Sequence, residues 1–553
     1  MRVPLLLPVI GLVAVLSGCH HDATVTPAIS PPTTFSIGGS VAGLSSTVVL
    51  QNNGGDNLTV SSNAAFIFPV TLQPNSPYDV TVLTQPSNQV CSVSNGSGTA
   101  TASVTNIAVV CSLSSTATDV WTWIGGSNYV NAPGVYGTVG TAAATDTPGA
   151  RRQPVRWTDA AGNFWLFGGN SVGNVAMLND LWEYSPSAQQ WVWRGGADTA
   201  GAAASYGSQG APAASNNPGA REGSAGWTDT AGNLWLFGGD SLAGPNWEEF
   251  NDLWEYEVSS AQWLWVGGSN TAASAGSYGT AGVAAAGNSP PARTGAASWV
   301  DSAGIFWLFG GAQLNSNGSY LAVFNDLWSY NPTTGLWTWV GGSNTPNAVG
   351  VYGTQGAAAA GNVPGARSGS SIWLDASGNL WLFGGLGLNQ SGVAQEYSDL
   401  WEYNPGSGEW TWAGGSNGAN AAGVYGTQRA GAAGNGPGAR VSAVSWRDHS
   451  GNLWLFGGYG YAQIANLGVL NDLWEYNVSS SVWTWIGGSS STAAIGTYGT
   501  QGIPASGNTP GAREQPVGWL DASGNFWLFG GFGFDSFDVE DDMNDLWRFS
   551  ESP

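Results

Sequence analysis

Phe164-Trp-Leu-Phe-Gly-Gly169, then Asn179-Asp-Leu-Trp182, then Trp191-Val-Trp193: this stretch decides the fold, because the chain keeps repeating it. The aromatic run ending in Gly-Gly returns at 234–239, 306–311, 380–385, 453–458 and 526–531. The Asp of Asn-Asp-Leu-Trp returns at 252, 326, 399, 472 and 545, with Ser398 replacing Asn once. The Trp-x-Trp pair opens at 121, 191, 263, 337, 410 and 483, and a Pro-Gly-Ala-Arg (once Pro-Pro-Ala-Arg) places Arg at 151, 221, 293, 367, 440 and 513. A period of 70–74 residues shared by four motifs must be read before any single motif.

Each period holds four strand-like runs. The first ends at Trp-x-Asp, as in Trp373-Leu-Asp375. A hairpin turn Asp375-Ala-Ser-Gly-Asn379 follows, then Leu380–Phe383, Leu400–Tyr403 and Trp410–Trp412. Four antiparallel strands repeated about an axis make a propeller blade. Of 31 Trp, Trp247 alone falls outside the repeated positions, so the others read as core between blades. The ends say how the ring closes. The repeats open with an orphan fourth strand, Trp121–Ile124, and finish with an orphan third strand, Leu546–Phe549, so the two should pair and leave no open edge. The expectation is an all-β protein with a six-bladed propeller over 119–549.

The Gly-Gly after a hydrophobic strand, the aromatic strand about a dozen residues on and the following Trp resemble the Kelch repeat, as found in galactose oxidase and the sialic acid mutarotases. The resemblance covers 119–549. This chain departs from it by an extra segment of about 23 residues before each Arg. It also departs in its metal chemistry. A copper radical oxidase needs imidazoles and a Cys-crosslinked Tyr, but the repeats hold a single His449, in a turn, and no Cys.

Ahead of the repeats, Arg2 and an apolar run Val3–Leu16 lead into Leu16-Ser-Gly-Cys19. The run is too short to span a bilayer and has the shape of a signal peptide. Its end resembles the lipobox of bacterial lipoproteins. That resemblance implies that Cys19 carries lipid, that 1–19 is the signal segment, and that the chain is held on the outer membrane, facing the periplasm or the cell surface. Residues 20–34 read as a linker. Residues 35–113, with short alternating runs such as Thr47–Leu50 and Ile107–Val110, read as a small β-sandwich. Cys91 and Cys111, the remaining cysteines, suit one disulfide in an oxidising compartment.

Composition narrows the partners. A content of 42% hydrophobic residues, 12% aromatic, excludes a disordered chain. The net charge of −23, with Arg as the sole basic type besides three His, excludes nucleic acid as a partner. It suits cationic, metal or neutral glycan ligands, and also simply keeps an exported protein soluble.

The short first-to-second and third-to-fourth turns share one face; both long connections share the other, where function is expected. The interblade segments, each with one Tyr-Gly (Tyr136, Tyr206, Tyr278, Tyr352, Tyr425, Tyr498), are so uniform that packing over the rim explains them better than six binding sites. The second-to-third loops differ. They carry Trp247, Glu248, Glu249, Tyr320, Tyr397, Tyr459, Tyr461, Phe534 and Phe537, which suit a sugar face or a protein partner, against the plainer reading of solvated loops. Asp535, Asp538 and Glu540 offer oxygen ligands for Ca²⁺, without the spacing of a calcium loop. The six repeat arginines are expected to form structural ion pairs or to bind backbone carbonyls rather than clamp a substrate, because each repeat also supplies one Asp. No nucleophile triad, phosphate loop or Cys/His cluster is present and no cofactor is expected, so a binding module leads. A mutarotase- or glycosidase-like enzyme using carboxylates and Arg from different blades is the alternative.

Overall fold

Thirty-eight strands and no helix make up the described residues of the computed structural model, which are 34–44, 47–86, 89–113, 119–171, 176–243 and 246–550. Cys19 and the leader lie outside them. The chain divides into two compact units between Thr116 and Ala117.

The first unit is a β-sandwich. One sheet orders Ala65–Ile67, Ile37–Ala42, Val104–Leu113 and Gln89–Ser94; the other orders Asp56–Val60, Val48–Asn52, Pro77–Thr84 and Ser97–Thr99. Alternate residues of both sheets, among them Ile37, Val48, Leu50, Val80, Ile107 and Val109, meet in one core. Cys91 lies opposite Cys111 on neighbouring strands, and the two are bonded.

The second unit is a β-propeller. Six antiparallel sheets follow one another, four of them four-stranded and the last two with a fifth, two-residue strand; the first comprises Val155–Thr158, Phe164–Ser171, Ala176–Ser185 and Gln190–Gly195. In the last sheet the fourth strand is Val120–Gly125, with Trp547 opposite Trp123 and Phe549 opposite Trp121. Six aromatic-rich clusters each join two consecutive sheets, and one joins the last sheet to the first through Trp519, Trp527, Phe164 and Trp182. The ring is closed.

A second closure lies on the axis. One residue before each inner strand (Gln153, Gly223, Gly295, Gly369, Ser442 and Gln515) has φ between 54° and 66°. Each donates its N–H to the carbonyl of its counterpart in the preceding blade at 2.8–3.1 Å, and Gln153 completes the circle on Gln515. The left-handed conformation turns the N–H and C=O along the circumference, which is why Gly holds three of the places.

The second-to-third connections are not loops. The strands run on past Gly-Gly through a register shift and pair again, as Leu380–Leu388 does with Ala394–Asn404. In the second and third blades the extension is a separate hairpin, Asp240–Ala243 with Asn246–Glu249 and Ala312–Leu314 with Tyr320–Val323. The doublet makes this possible. Gly168 has φ 67°, and a Cβ there would come within 2.5 Å of the Arg221 carbonyl of the next blade.

Trp121 makes edge or tilted contacts with Phe456, Phe526, Trp547 and Phe549 at 5.1–6.4 Å. Trp121→Ala therefore removes a ring from the closing interface and should destabilise the propeller by about 3–5 kcal/mol. Urea unfolding measures it, and an unchanged midpoint would mean the closing strand carries no such load.

Candidate functional site

Two sets of charged residues are buried in the propeller, and they differ in kind. The first is the same in every blade. Arg151 Nη1 and Nη2 donate to the two oxygens of Asp180, both at 2.6 Å, while Nε donates to Gly149 and Nη1 also to Gly168. Tyr136 Oη and Trp182 Nε1 both donate to Asp180 Oδ2 at 2.7 Å. The pairs Arg221–Asp252, Arg293–Asp326, Arg367–Asp399, Arg440–Asp472 and Arg513–Asp545 repeat this geometry, each with its Tyr and Trp. The arginines face carboxylates, not the channel. The interblade Tyr residues are donors in this lock. Such a pair is saturated and has nothing to offer a ligand.

Two of the candidate loop residues belong elsewhere. Tyr397 lies over the Arg367 guanidinium at 4.8 Å, where Phe250 and Phe324 cover Arg221 and Arg293, so it caps a lock. Asp535 is buried; Oδ1 accepts the Phe537 and Val539 N–H groups and Oδ2 that of Val130, which makes it the closure of a hairpin and not a cation ligand. Asp538 and Glu540 sit at the exposed end of that hairpin, with Phe537 at its tip, 66% exposed. His449 is exposed in a first-to-second turn.

The second charged set lies just above the hydrogen-bonded circle, on the face of the extended hairpins. There the residue following each lock Arg pairs with the residue following Gly-Gly: Arg152 with Asn170, Glu222 with Asp240, Thr294 with Ala312, Ser368 with Leu386, Val441 with Tyr459 and Glu514 with Phe532. The next strand adds Met177, Glu249, Val323, Glu396, Val469 and Asp542 at the same level. Directly opposed residues share a sheet face, so these eighteen side chains form one layer. Two residues further along come Trp247, Tyr461 and Phe534, and in the third blade Tyr320, opposite Leu314 past a register shift; they form an upper aromatic layer. Glu248 is one residue out of step and takes the other face. Trp247 reaches the turn of the next hairpin at Gly318, where a Cβ would come within 2.6 Å of its indole nitrogen. Glu249 Oε1 accepts the Leu314 N–H at 2.7 Å, tying the same two hairpins together.

These two levels, aromatic above and charged below, are termed the funnel. Arg152 Nη1 is 3.7 Å from Asp542, with its guanidinium 4.8 Å from the Phe532 ring centre. Glu222 Oε1 accepts from Asn170 Nδ2 at 3.3 Å. Burial pushes Glu222 up from 4.5 to about 7, against the pull of Arg152 and Asn170 and helped by Asp542 and Glu514. Burial likewise lifts Glu514 to about 7, and Asp240 well above the carboxylate range with help from Glu222. Tyr320 is pushed up to about 12 by burial and by Glu514, Asp240, Glu396 and Glu222, acids of three other blades.

The larger cavities are products of the repeat or lie at or below the circle. Crevices of about 630, 450 and 420 Å³ sit at equivalent places under three interblade segments. A channel cavity of about 500 Å³ beside Arg156, Thr158 and Thr228 lies on the short-turn side.

No family model matches this chain, and no curated protein matches it. Among solved structures 251 chains match. One of them, titled "Structure of YjhT", is 14% identical with a TM-score of 0.44, over 72% of this chain and 95% of that one. The reading of the site therefore rests on its residues.

The raised carboxylates set a pH dependence. A carboxyl whose folded pKa lies above its unfolded value binds more protons folded than unfolded between the two, so its contribution is complete below about 4.5 and is lost as pH rises through 7. For Glu222 this amounts to about 3 kcal/mol. Unfolding free energy should fall from pH 5 to pH 8, and Glu222→Gln should flatten that fall by up to this amount. Parallel pH profiles for the two proteins would refute the assignment.

Proposed function

We propose that this chain is an exported, lipid-anchored binding protein whose Kelch-type propeller receives a glycan in the axial funnel. The observation that carries the reading is where the six copies differ. Lock, circle and interblade contacts recur blade by blade, while the funnel positions change in every blade and combine aromatic faces with carboxylates. Sugar rings stack on Trp247, Tyr461 and Phe534, and their hydroxyls donate to the acids below. The Leu16–Cys19 motif supports anchoring at the outer membrane through lipid, and the net charge of −23 argues against nucleic acid.

A second reading, a mutarotase- or glycosidase-like enzyme, draws support from Glu222 and Glu514, which hold protons near neutral pH beside Arg152 as a general acid must.

A glycan array followed by a turnover assay separates the two. Binding without product supports the binding protein, and Trp247→Ala or Phe534→Ala should then weaken it tenfold or more with the unfolding midpoint unchanged. Product formation lost in Glu222→Gln supports the enzyme. An array without hits, alongside capture of a protein that needs Trp247 and Phe537, would replace the glycan with a protein partner. For the anchor, Cys19→Ser should move the chain from the membrane fraction to the soluble fraction; retention on membranes would contradict lipidation at that residue.

A further inference from the structure

We infer that the lower layer of the funnel is a subsite for an ammonium group, so that the glycan is an amino sugar with a free amine. The sugar part rests on the function proposed above; the ammonium part stands on the lower layer alone.

Three observations converge on it. First, the layer is unbalanced. Glu222, Asp240, Glu249, Glu396, Glu514 and Asp542 share it with Arg152, its one cation among the described residues. In the locks every Arg meets one Asp. Nor does the fold require acids here: the equivalent places are Val441, Tyr459 and Val469 in the fifth blade, and Ala312 and Val323 in the third. Six carboxyls beside one guanidinium cost free energy either as desolvated charge or through the protons they must hold, so this surplus is not a by-product of packing.

Second, two oxygens lack donors. Glu222 is 6% exposed and Asp240 2%, and Glu222 Oε2 and Asp240 Oδ2 have no hydrogen-bond partner. These residues face each other across one strand pair. Each lock Asp, by contrast, receives four donors. An ammonium brings three N–H donors and a positive charge to the two oxygens, whereas a hydroxyl brings one donor and no charge. A metal ion fits less well, because among the described residues no three acidic, His or Cys side chains converge closely enough to hold one.

Third, the aromatic faces suit a cation. Tyr459 is in the layer and Tyr320 stands above it, and a ring face attracts ammonium more strongly once water is excluded. The sugar ring would occupy the upper layer of Trp247, Tyr461 and Phe534, with its amine directed down to Glu222 and Asp240.

Calorimetry on the full chain with a glucosamine tetramer, its fully N-acetylated counterpart and spermidine tests this. The glucosamine tetramer should bind at least tenfold tighter than the acetylated one. Glu222→Gln combined with Asp240→Asn should abolish that difference, and Trp247→Ala should weaken both tetramers. Equal or tighter binding of the acetylated tetramer overturns the ammonium subsite while leaving the glycan reading intact. Spermidine matching the glucosamine tetramer, and failing with the double variant, supports the subsite and removes the glycan. Binding of none of the three overturns the subsite. If the double variant does not fold, the wild-type preference between the tetramers decides.

Discussion

A buried arginine that has met its aspartate holds each blade in place. Arg151 and Asp180 are both fully buried, and their polar atoms are spent on each other, on Tyr136, on Trp182 and on two carbonyls. The lock joins four stretches that are far apart in the chain: the interblade segment, the entry to the inner strand, the Gly-Gly doublet and the third strand. Burying such a pair roughly offsets its desolvation, so its worth lies less in net stability than in rejecting every other register. A slip of one residue would leave a bare guanidinium in the core.

With the blades fixed this way, and with a circle of backbone hydrogen bonds fixing the axis, the side chains directly above the circle are not held to one residue type. They are free to differ, and they do. Neighbouring positions therefore follow opposite rules: Arg221 recurs in every blade, whereas Glu222, one residue later, has a different counterpart in most of the others. The same separation explains the electrostatics. Lock carboxylates are neutralised where they are made, whereas the funnel carboxylates outnumber Arg152 and keep protons near neutral pH.

Much of this was legible in the sequence. The period gave the blades, the orphan runs at 121 and 546 gave the closure, and one Arg with one Asp per repeat gave the lock, because each feature is local or repeated. The aromatics Trp247, Tyr320, Tyr459, Tyr461 and Phe534 were found by type, and the strand register sets them at the two levels above the circle. Tyr397 and Asp535 were misplaced, since the same residue type caps an arginine or closes a hairpin once its neighbours are known. Arg152, Glu222, Asp240 and Glu514 were missed. A signal existed: within motifs that hardly vary, the residue after each lock Arg is Arg, Glu, Thr, Ser, Val and Glu in turn.

The sequence alone determined the repeat, the strand count per repeat and the pairing of its ends, because these follow from periodicity and from the cost of an open edge. Tertiary structure decided which acids meet. Glu222, Glu396 and Glu514 stand on three blades, and only the ring brings them near one phenol, that of Tyr320. Burial, a property of the closed ring and not of any segment, then sets their proton affinity.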